Sequence, residues 1–422
     1  MKKLIAIAVV FALIAGTAFA DTSVGGQVFV AGTLLQGNNI EDSDIGNAAI
    51  GNDQYNTAIK VTFSEGPAGG RIRILGKNAG EGDIFDEAFG WWRPIPQLRI
   101  QIGSNQDGDF GTAQISGWGF TGENKNNGGN QGAMAEYSGW GEGRNHSRTT
   151  GWYGGTGGTP NLQFSIFATD DLTINIWFPW QGNTIAGLAF LKVNAQVKYS
   201  IPQIGTATVS FESNTGYLKA DPDSWYKTEQ TGTPKVFASF YLTAIENMGV
   251  DIGLAYKFPL DNTETKVVTN YPFEVGLGFR FGSGDFNFKL RASADFGTST
   301  ITDGTELDAS KDAKVTTISA SILPSYKVGD MTIFFYAGLD VRSVADWEKT
   351  AAGSMYRANE ASSNIGWFVN PYVFVPAGGL RFKVGFQLWS DGTKADLDNN
   401  AANGLEGAKV NWSIPFGFYA YF

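Results

Sequence analysis

Basic side chains recur on either side of single apolar residues, and they form the clearest chemical pattern in the chain. Arg71 and Arg73 flank Ile72, and Arg381 and Lys383 are separated by one phenylalanine. Successive side chains of a β-strand point to opposite faces, so each basic pair lies on one face. A wall of such pairs attracts anions, even though the whole chain carries a formal net charge of −10.

These pairs belong to a larger set that alternation places on one face of the predicted strands. The set is Lys60, Arg71, Arg73, Lys77, Arg99, Lys192, Lys198, Lys235, Lys257, Arg280, Lys289, Arg291, Arg381 and Lys383. Fewer acids share this face, namely Glu212, Asp251, Glu274, Asp295 and Asp340. We therefore predict a basic wall. The alternative is that some of these bases lie at strand ends and bind lipid head groups.

Residue types needed for catalysis and metal binding are scarce. The chain has no cysteine and one histidine, His146, so a site of several His or Cys ligands cannot form. A serine hydrolase would need His146 beside a nucleophile, such as Ser147, and an orienting partner. The glycine-rich stretch 154–159 lacks the lysine of a phosphate-binding loop. We predict no enzyme activity, no cofactor and no metal. The acidic balance also argues against a nucleic-acid partner.

The elements that must position the basic wall are strands. Apolar residues alternate with polar ones, as in Val193, Ala195, Val197 and Tyr199, and short turns alternate with longer polar connections. This pattern predicts an all-β fold, a transmembrane antiparallel β-barrel of about eighteen strands, with sixteen as the alternative.

Two segments depart from clean alternation. The segment 85–92 has no regular pattern, and a turn is predicted directly after it, over 93–96. Pro371 interrupts the strand predicted over 364–374 and leaves its register open.

The C-terminal stretch 409–422 is the clearest single strand. One face is apolar, from Val410 to Phe422, and the other carries polar residues and two tyrosines. An alternating strand that ends on phenylalanine resembles the C-terminal signature of bacterial outer-membrane β-barrel proteins. The alternative is an edge strand of a soluble sandwich.

The N-terminus has the features of an export signal. Lys2 and Lys3 precede the apolar stretch Leu4–Ala15, and Ala18-Phe19-Ala20 follows. The apolar stretch is shorter than the ~20 residues a spanning helix needs. We therefore predict a cleaved signal peptide over 1–20, a barrel over 21–422 and location in the bacterial outer membrane.

A long Gly- and Asn-rich connection, 105–160, interrupts the strand pattern. It is the third outer loop by our count, and so resembles the constriction loop of general porins, which folds into the lumen. The resemblance implies that Asp107 and Asp109 face Arg71, Arg73 and Arg99 across a water-filled gap. It also implies passive diffusion of small hydrophilic solutes, contact with outer-membrane lipid and a homotrimer. The alternative is a loop that packs outside as a lid.

Other functions fit parts of the pattern. Aromatic residues are dense in and before the long loop, as in sugar-selective porins with an aromatic-lined path. They are Trp91, Trp92, Trp118, Phe120, Trp140, Trp152 and Tyr153. Such residues are equally favoured at membrane interfaces. A third hypothesis is a surface adhesin or antigen, with the barrel as its anchor.

Overall fold

The structure is a computed structural model, and it describes residues 21–38, 49–50, 56–76, 85–104, 161–179, 193–212, 235–258, 267–301, 313–349, 356–390 and 410–421. Within these ranges the regular elements are β-strands. They are β1 (Asp21–Asn38), β2 (Ala49–Ile50), β3 (Asn56–Glu65), β4 (Ala68–Gly76), β5 (Phe85–Ile95), β6 (Leu98–Ser104), β7 (Asn161–Phe167), β8 (Leu172–Pro179), β9 (Asn194–Ile201), β10 (Gly205–Glu212), β11 (Lys235–Leu242), β12 (Met248–Lys257), β13 (Val267–Ser283), β14 (Phe286–Ile301), β15 (Ala313–Val328), β16 (Met331–Lys349), β17 (Tyr356–Ala377), β18 (Leu380–Gly385), β19 (Gln387–Ser390) and β20 (Val410–Tyr421). The predicted signal peptide lies outside the described residues.

The strands form one antiparallel sheet that closes on itself. Each strand from β3 to β16 pairs with its successor in the chain, and β18 and β19 each pair with both β17 and β20. The last strand, β20, returns to β1. β1 pairs with β3 through Asp21↔Ser64 to Phe29↔Asn56, and with β20 through Gln27↔Tyr421 to Asn38↔Asn411. Both edges of β1 are therefore used, and the sheet is a barrel.

The described part of the barrel has eighteen strands in its wall. β18 and β19 act as one strand, because their registers against both neighbours stay in step across Phe386. Prolines lie at this break on either side: by continuity of register, Pro371 is opposite Phe386 and Pro415 is opposite Gly385. A proline cannot donate to a ladder, which accounts for the interruption. The two-residue β2 only extends the pairing of β1.

Side-chain exposure separates the two faces of the wall. On β12, Ile252 and Leu254 are 51% and 46% exposed, whereas Ala255 is 2% exposed. Phe237 of β11, which pairs with Ala255, is 1% exposed. The exposed apolar set matches the outward face predicted from the sequence. The opposite face, which we call the inner face, carries the polar residues. The predicted all-β barrel of eighteen strands is therefore confirmed.

Short turns occupy one end of the barrel and long connections the other. The turns at this short-turn end are joined to a neighbouring strand by backbone hydrogen bonds of 2.7 to 3.0 Å. The donor and acceptor pairs are Arg93 N and Pro67 O, Phe167 N and Gln97 O, Ser200 N and Asp171 O, Thr243 N and Ile204 O, Gly282 N and Asn247 O, and Lys327 N and Asp285 O. These bonds link the short-turn end from the turn between β3 and β4 as far as β15.

The two irregular segments differ from the sequence prediction in their boundaries. β5 runs on to Ile95, so the turn is confined to Pro96 and Gln97 rather than 93–96. Pairing of the Arg93 amide with Pro67 O keeps the strand extended there. β17 runs over Tyr356–Ala377 and is much longer than predicted, because β16 pairs with it as far as Lys349.

We expect Gln203→Gly to stabilise the barrel. Gln203 has a φ of 62° in the turn that Ile204 N closes on Ile201 O at 3.0 Å. A side chain in this left-handed region costs about 1 kcal/mol, which glycine avoids. The midpoint of thermal unfolding in detergent should rise for Gln203→Gly, whereas Gln203→Ala should give no gain. An equal gain from both variants would refute strain at this residue.

Candidate functional site

Most of the predicted bases that the structure describes lie on the inner face near the short-turn end. Ten of them lie within the first six residues of their strands as counted from that end, namely Lys60, Arg71, Arg73, Arg99, Lys198, Arg280, Lys289, Arg291, Arg381 and Lys383. Lys235 and Lys257 are the exceptions, because they pair with each other at the opposite end of β11 and β12. For Arg73 and Arg291 only the position in β4 and β14 is described. Lys77, Lys192, Asp107 and Asp109 lie outside the described residues. The structure thus places a basic belt close to one mouth of the barrel.

The first group in this belt lies on β4 and β5. The guanidinium carbon of Arg71 is 5.5 Å from the ring centroid of Phe89, and Phe89 is 5.9 Å from Trp91. Gly69 makes room for this group, because a Cβ there would overlap the Trp91 ring and lie 2.7 Å from Phe63 O. A ring that covers a cross-strand glycine is a recognised device in sheets.

The second group joins β11 to β13 across β12. The Arg280 guanidinium carbon lies 4.8 Å from the ring centroid of Tyr241. Gly249 of β12 sits between them, and a Cβ there would lie 2.6 Å from Arg280 Nε and 3.1 Å from Tyr241 Oη. The contact between β11 and β13 therefore depends on a missing side chain in β12.

The third group lies on β16, β17 and β18. Phe334 stacks on Tyr372 with centroids 4.7 Å apart and planes 8° from parallel. Lys383 is 2% exposed, and its Nζ lies 5.6 Å from the Tyr372 ring and 5.3 Å from the Phe374 ring. Arg381 is exposed and lies 5.6 Å from Phe374. Lys383 is thus a wall residue enclosed by rings, whereas Arg381 is accessible.

A fourth cation and ring meet at the rim itself. The Arg93 guanidinium carbon is 4.7 Å from the centroid of Phe167, which is on β7. Arg99 of β6 lies on the same face, one residue inside its strand. Attraction between a cation and the face of an aromatic ring is worth about 0.5–1 kcal/mol at exposed sites. Aromatic rings therefore help to hold the basic belt in place.

Buried amide and hydroxyl groups line the inner face from β6 to β10. Gln101 donates to Gln163 at 3.5 Å, and Gln163 donates to Ser165 at 3.1 Å. Further along the wall, the Asn175 amide donates to Gln196 at 3.5 Å, and the Gln196 amide donates to Ser210 at 3.3 Å. Three of these four contacts are longer than the usual hydrogen-bond range, and the wall here is polar.

Sequence reasoning named Trp91 but missed the other rings of these groups, and it assigned Arg93 to a turn. The inward position of Tyr241 and Phe334 could have been read from alternation within their strands. Phe89 and Tyr372 lie in the two segments that lack clean alternation. The contacts of these rings with cations could not be read in this way, because they need the register between strands. Trp92 is 52% exposed on the outer face, so only Trp91 of that pair faces inward.

In the described part of the chain, no group of three or more His, Cys, Asp or Glu side chains is placed to hold a metal ion. Within the same residues, none of the segments is a helix long and apolar enough to cross a membrane.

Comparison with known proteins gives similarity at the level of solved structures. Neither a family model nor a curated protein sequence matches the chain. The outer-membrane channel DcaP of Acinetobacter baumannii is 12% identical, with 96% of this chain and 98% of that chain covered, at a TM-score of 0.49. The anion-selective porin from Comamonas acidovorans is 8% identical, with 96% of this chain and 100% of that chain covered, at a TM-score of 0.42. A loop-deletion mutant of OmpT, an outer membrane protein of Vibrio cholerae, is 10% identical. The match covers 96% of this chain and 100% of that chain, at a TM-score of 0.43. At such identities, what these proteins transport is not transferred to this chain.

We expect Gly69→Ala to destabilise the barrel by about 1–3 kcal/mol, the usual cost of overpacking. The new methyl group would meet the Trp91 ring and the backbone oxygen of Phe63, and backbone cannot easily move. Gly90→Ala on β5 is the matched control, because its Cβ meets nothing closer than Gly69 O at 3.6 Å. Denaturant unfolding in detergent measures both, and equal stability of the two variants would contradict the packing described here.

Proposed function

We propose that this barrel is a bacterial outer-membrane channel for the passive diffusion of small hydrophilic solutes. The observation that carries the proposal is the closed ring of strands with an apolar outer face and a polar, basic inner face. A bilayer accepts only strands whose backbone groups are all paired, and closure achieves this. The proposal includes export by a cleaved signal over 1–20.

The strand count favours a channel over a plain anchor. Barrels of sixteen to eighteen strands are wide enough to leave an aqueous path, whereas barrels of about eight strands are filled by side chains. The basic belt near the short-turn end favours anions, because charge within low-dielectric walls is poorly screened.

The role of the long connection 105–160 remains part of the proposal. It joins β6 to β7, which carry Arg99 and the buried Gln101 and Gln163. We propose that it narrows the lumen and that Asp107 and Asp109 lie opposite the wall bases. A homotrimer is proposed from the family resemblance alone, and the mass of the detergent-solubilised complex tests it.

A sugar-selective channel is the second candidate. It is supported by rings on the inner face, especially the half-buried Trp91 beside Phe89. Rings of this kind can stack on the apolar faces of sugars. Liposome-swelling rates for a neutral disaccharide and an anion of similar size separate the two candidates.

We expect large, steady conductance steps from the folded protein in planar bilayers, with a reversal potential that shows anion preference in a salt gradient. Cation preference would mean that acids such as Asp107 and Asp109 dominate the narrowest point. Absence of conductance from protein shown to be folded would refute the channel and leave a barrel-anchored adhesin as the better account.

We expect Ile252→Arg to weaken folding into bilayers by about 2–4 kcal/mol, the cost of a cation facing the lipid midplane. Ile252 is exposed on the outer face, whereas Ser239 lies on the inner face opposite Gly253. Ser239→Arg is the matched control and should cost far less. Urea titration of folding into vesicles measures both. Similar losses would argue against lipid on the outer face.

A further inference from the structure

Arg280 is an inner-face cation with an unusual setting. It is exposed, and its guanidinium lies over the Tyr241 ring at 4.8 Å, although the two residues belong to strands separated by β12. Gly249 of β12, paired with Arg280, provides the gap through which the side chain reaches Tyr241. The position of this guanidinium is therefore set by two other strands.

Neither member of this pair has a polar partner in the described part of the chain. Arg280 makes its ring contact there but no hydrogen bond or ion pair. The Tyr241 hydroxyl is buried and has no hydrogen-bond partner among the same residues. A guanidinium offers five N–H donors and no acceptor, and a phenol offers one more donor. The guanidinium therefore has N–H donors for which no acceptor is found among the described residues, although Asp251 of β12 lies on the same face, in register with Tyr241.

We propose that Arg280, held on Tyr241 above Gly249, is a binding site for solute oxyanions, meaning carboxylates or phosphates. The planar fork of a guanidinium matches two oxygens of such a group, whereas chloride offers one centre. This inference rests on the proposed channel function and deepens it by naming a class of solute and the residue that selects it.

The contact with the Tyr241 ring distinguishes Arg280 from an exposed base that only adds charge to the belt. Stacking restricts the arginine side chain before an anion arrives, so less conformational entropy is lost on binding. Lys198 provides the comparison. It is an exposed base near the same end on β9, and no ring contact involving it is found among the described residues.

The test measures how potassium phosphate and potassium acetate block the chloride current of the full barrel at constant ionic strength. We expect saturable block in the wild type. Arg280→Gln should raise the half-blocking concentration about tenfold, as for loss of a hydrogen bond to a charged group. Tyr241→Leu and Gly249→Ala keep the guanidinium but disturb its contact with the Tyr241 ring. Each should raise the half-blocking concentration about threefold.

Lys198→Gln is the matched control, since it removes one positive charge from the same face near the same end. We expect its half-blocking concentration to stay within about twofold of the wild type, because exposed charges are screened by salt. Equal effects of Lys198→Gln and Arg280→Gln would show that net charge alone acts, which would overturn the site. Absence of saturable block in a conducting wild type would overturn it as well.

A second measurement separates this inference from the channel proposal. Inorganic phosphate is titrated by calorimetry into the folded protein in detergent free of phospholipid. Binding by the wild type that Arg280→Gln abolishes supports the site even if the barrel fails to conduct. Absence of binding overturns the site, whether or not current is seen. Phosphate binding that is lost when phospholipid is added to the detergent would assign Arg280 to lipid head groups and refute the solute proposal.

Discussion

The structure depends on one constraint, which is that every strand must be paired along both edges. In a bilayer an unpaired backbone amide or carbonyl costs several kcal/mol, so a spanning sheet has to close. Closure fixes an inside and an outside, and strand alternation then sorts each residue to one of them. The basic belt, the ring contacts and the exposed apolar surface all follow from that sorting. Even the interruption at Phe386, beside Pro371 and Pro415, leaves the registers in step.

Several cations of the inner face lie against aromatic rings, as Arg71 does at Phe89 and Arg280 at Tyr241. A ring attracts a cation without cancelling its charge. Glycine is the third partner in this arrangement. Gly69 lets Trp91 lie against the wall, and Gly249 lets Arg280 cross a strand to reach Tyr241. Small and large residues therefore act together across strands, and the abundance of glycine has a local purpose at these two points.

Much of the fold was predictable because alternation is a local signal. The strand around Val197 and the C-terminal strand each show their two faces within a few residues. Prediction failed at the end of β5, where prolines signal a turn but the amide of Arg93 stays paired. It failed also for the site contacts. Arg280 and Tyr241 are far apart in sequence, and their meeting depends on cross-strand register and on a glycine in a third strand. No pattern within a single strand carries that information, so the bases were predicted and their aromatic partners were not.

The seam between β1 and β20 has a consequence for how the protein reaches its native state. This contact joins the two ends of the chain, and it is the pairing with the greatest separation along the sequence. Contacts of this kind carry a large loop-closure entropy and form slowly. Until the last strand arrives, β1 and the growing sheet both present open edges, which readily pair with other chains. The unfinished sheet therefore has to be kept apart from other chains until β20 is available. Pairing of β20 with β1 then removes the last open edges.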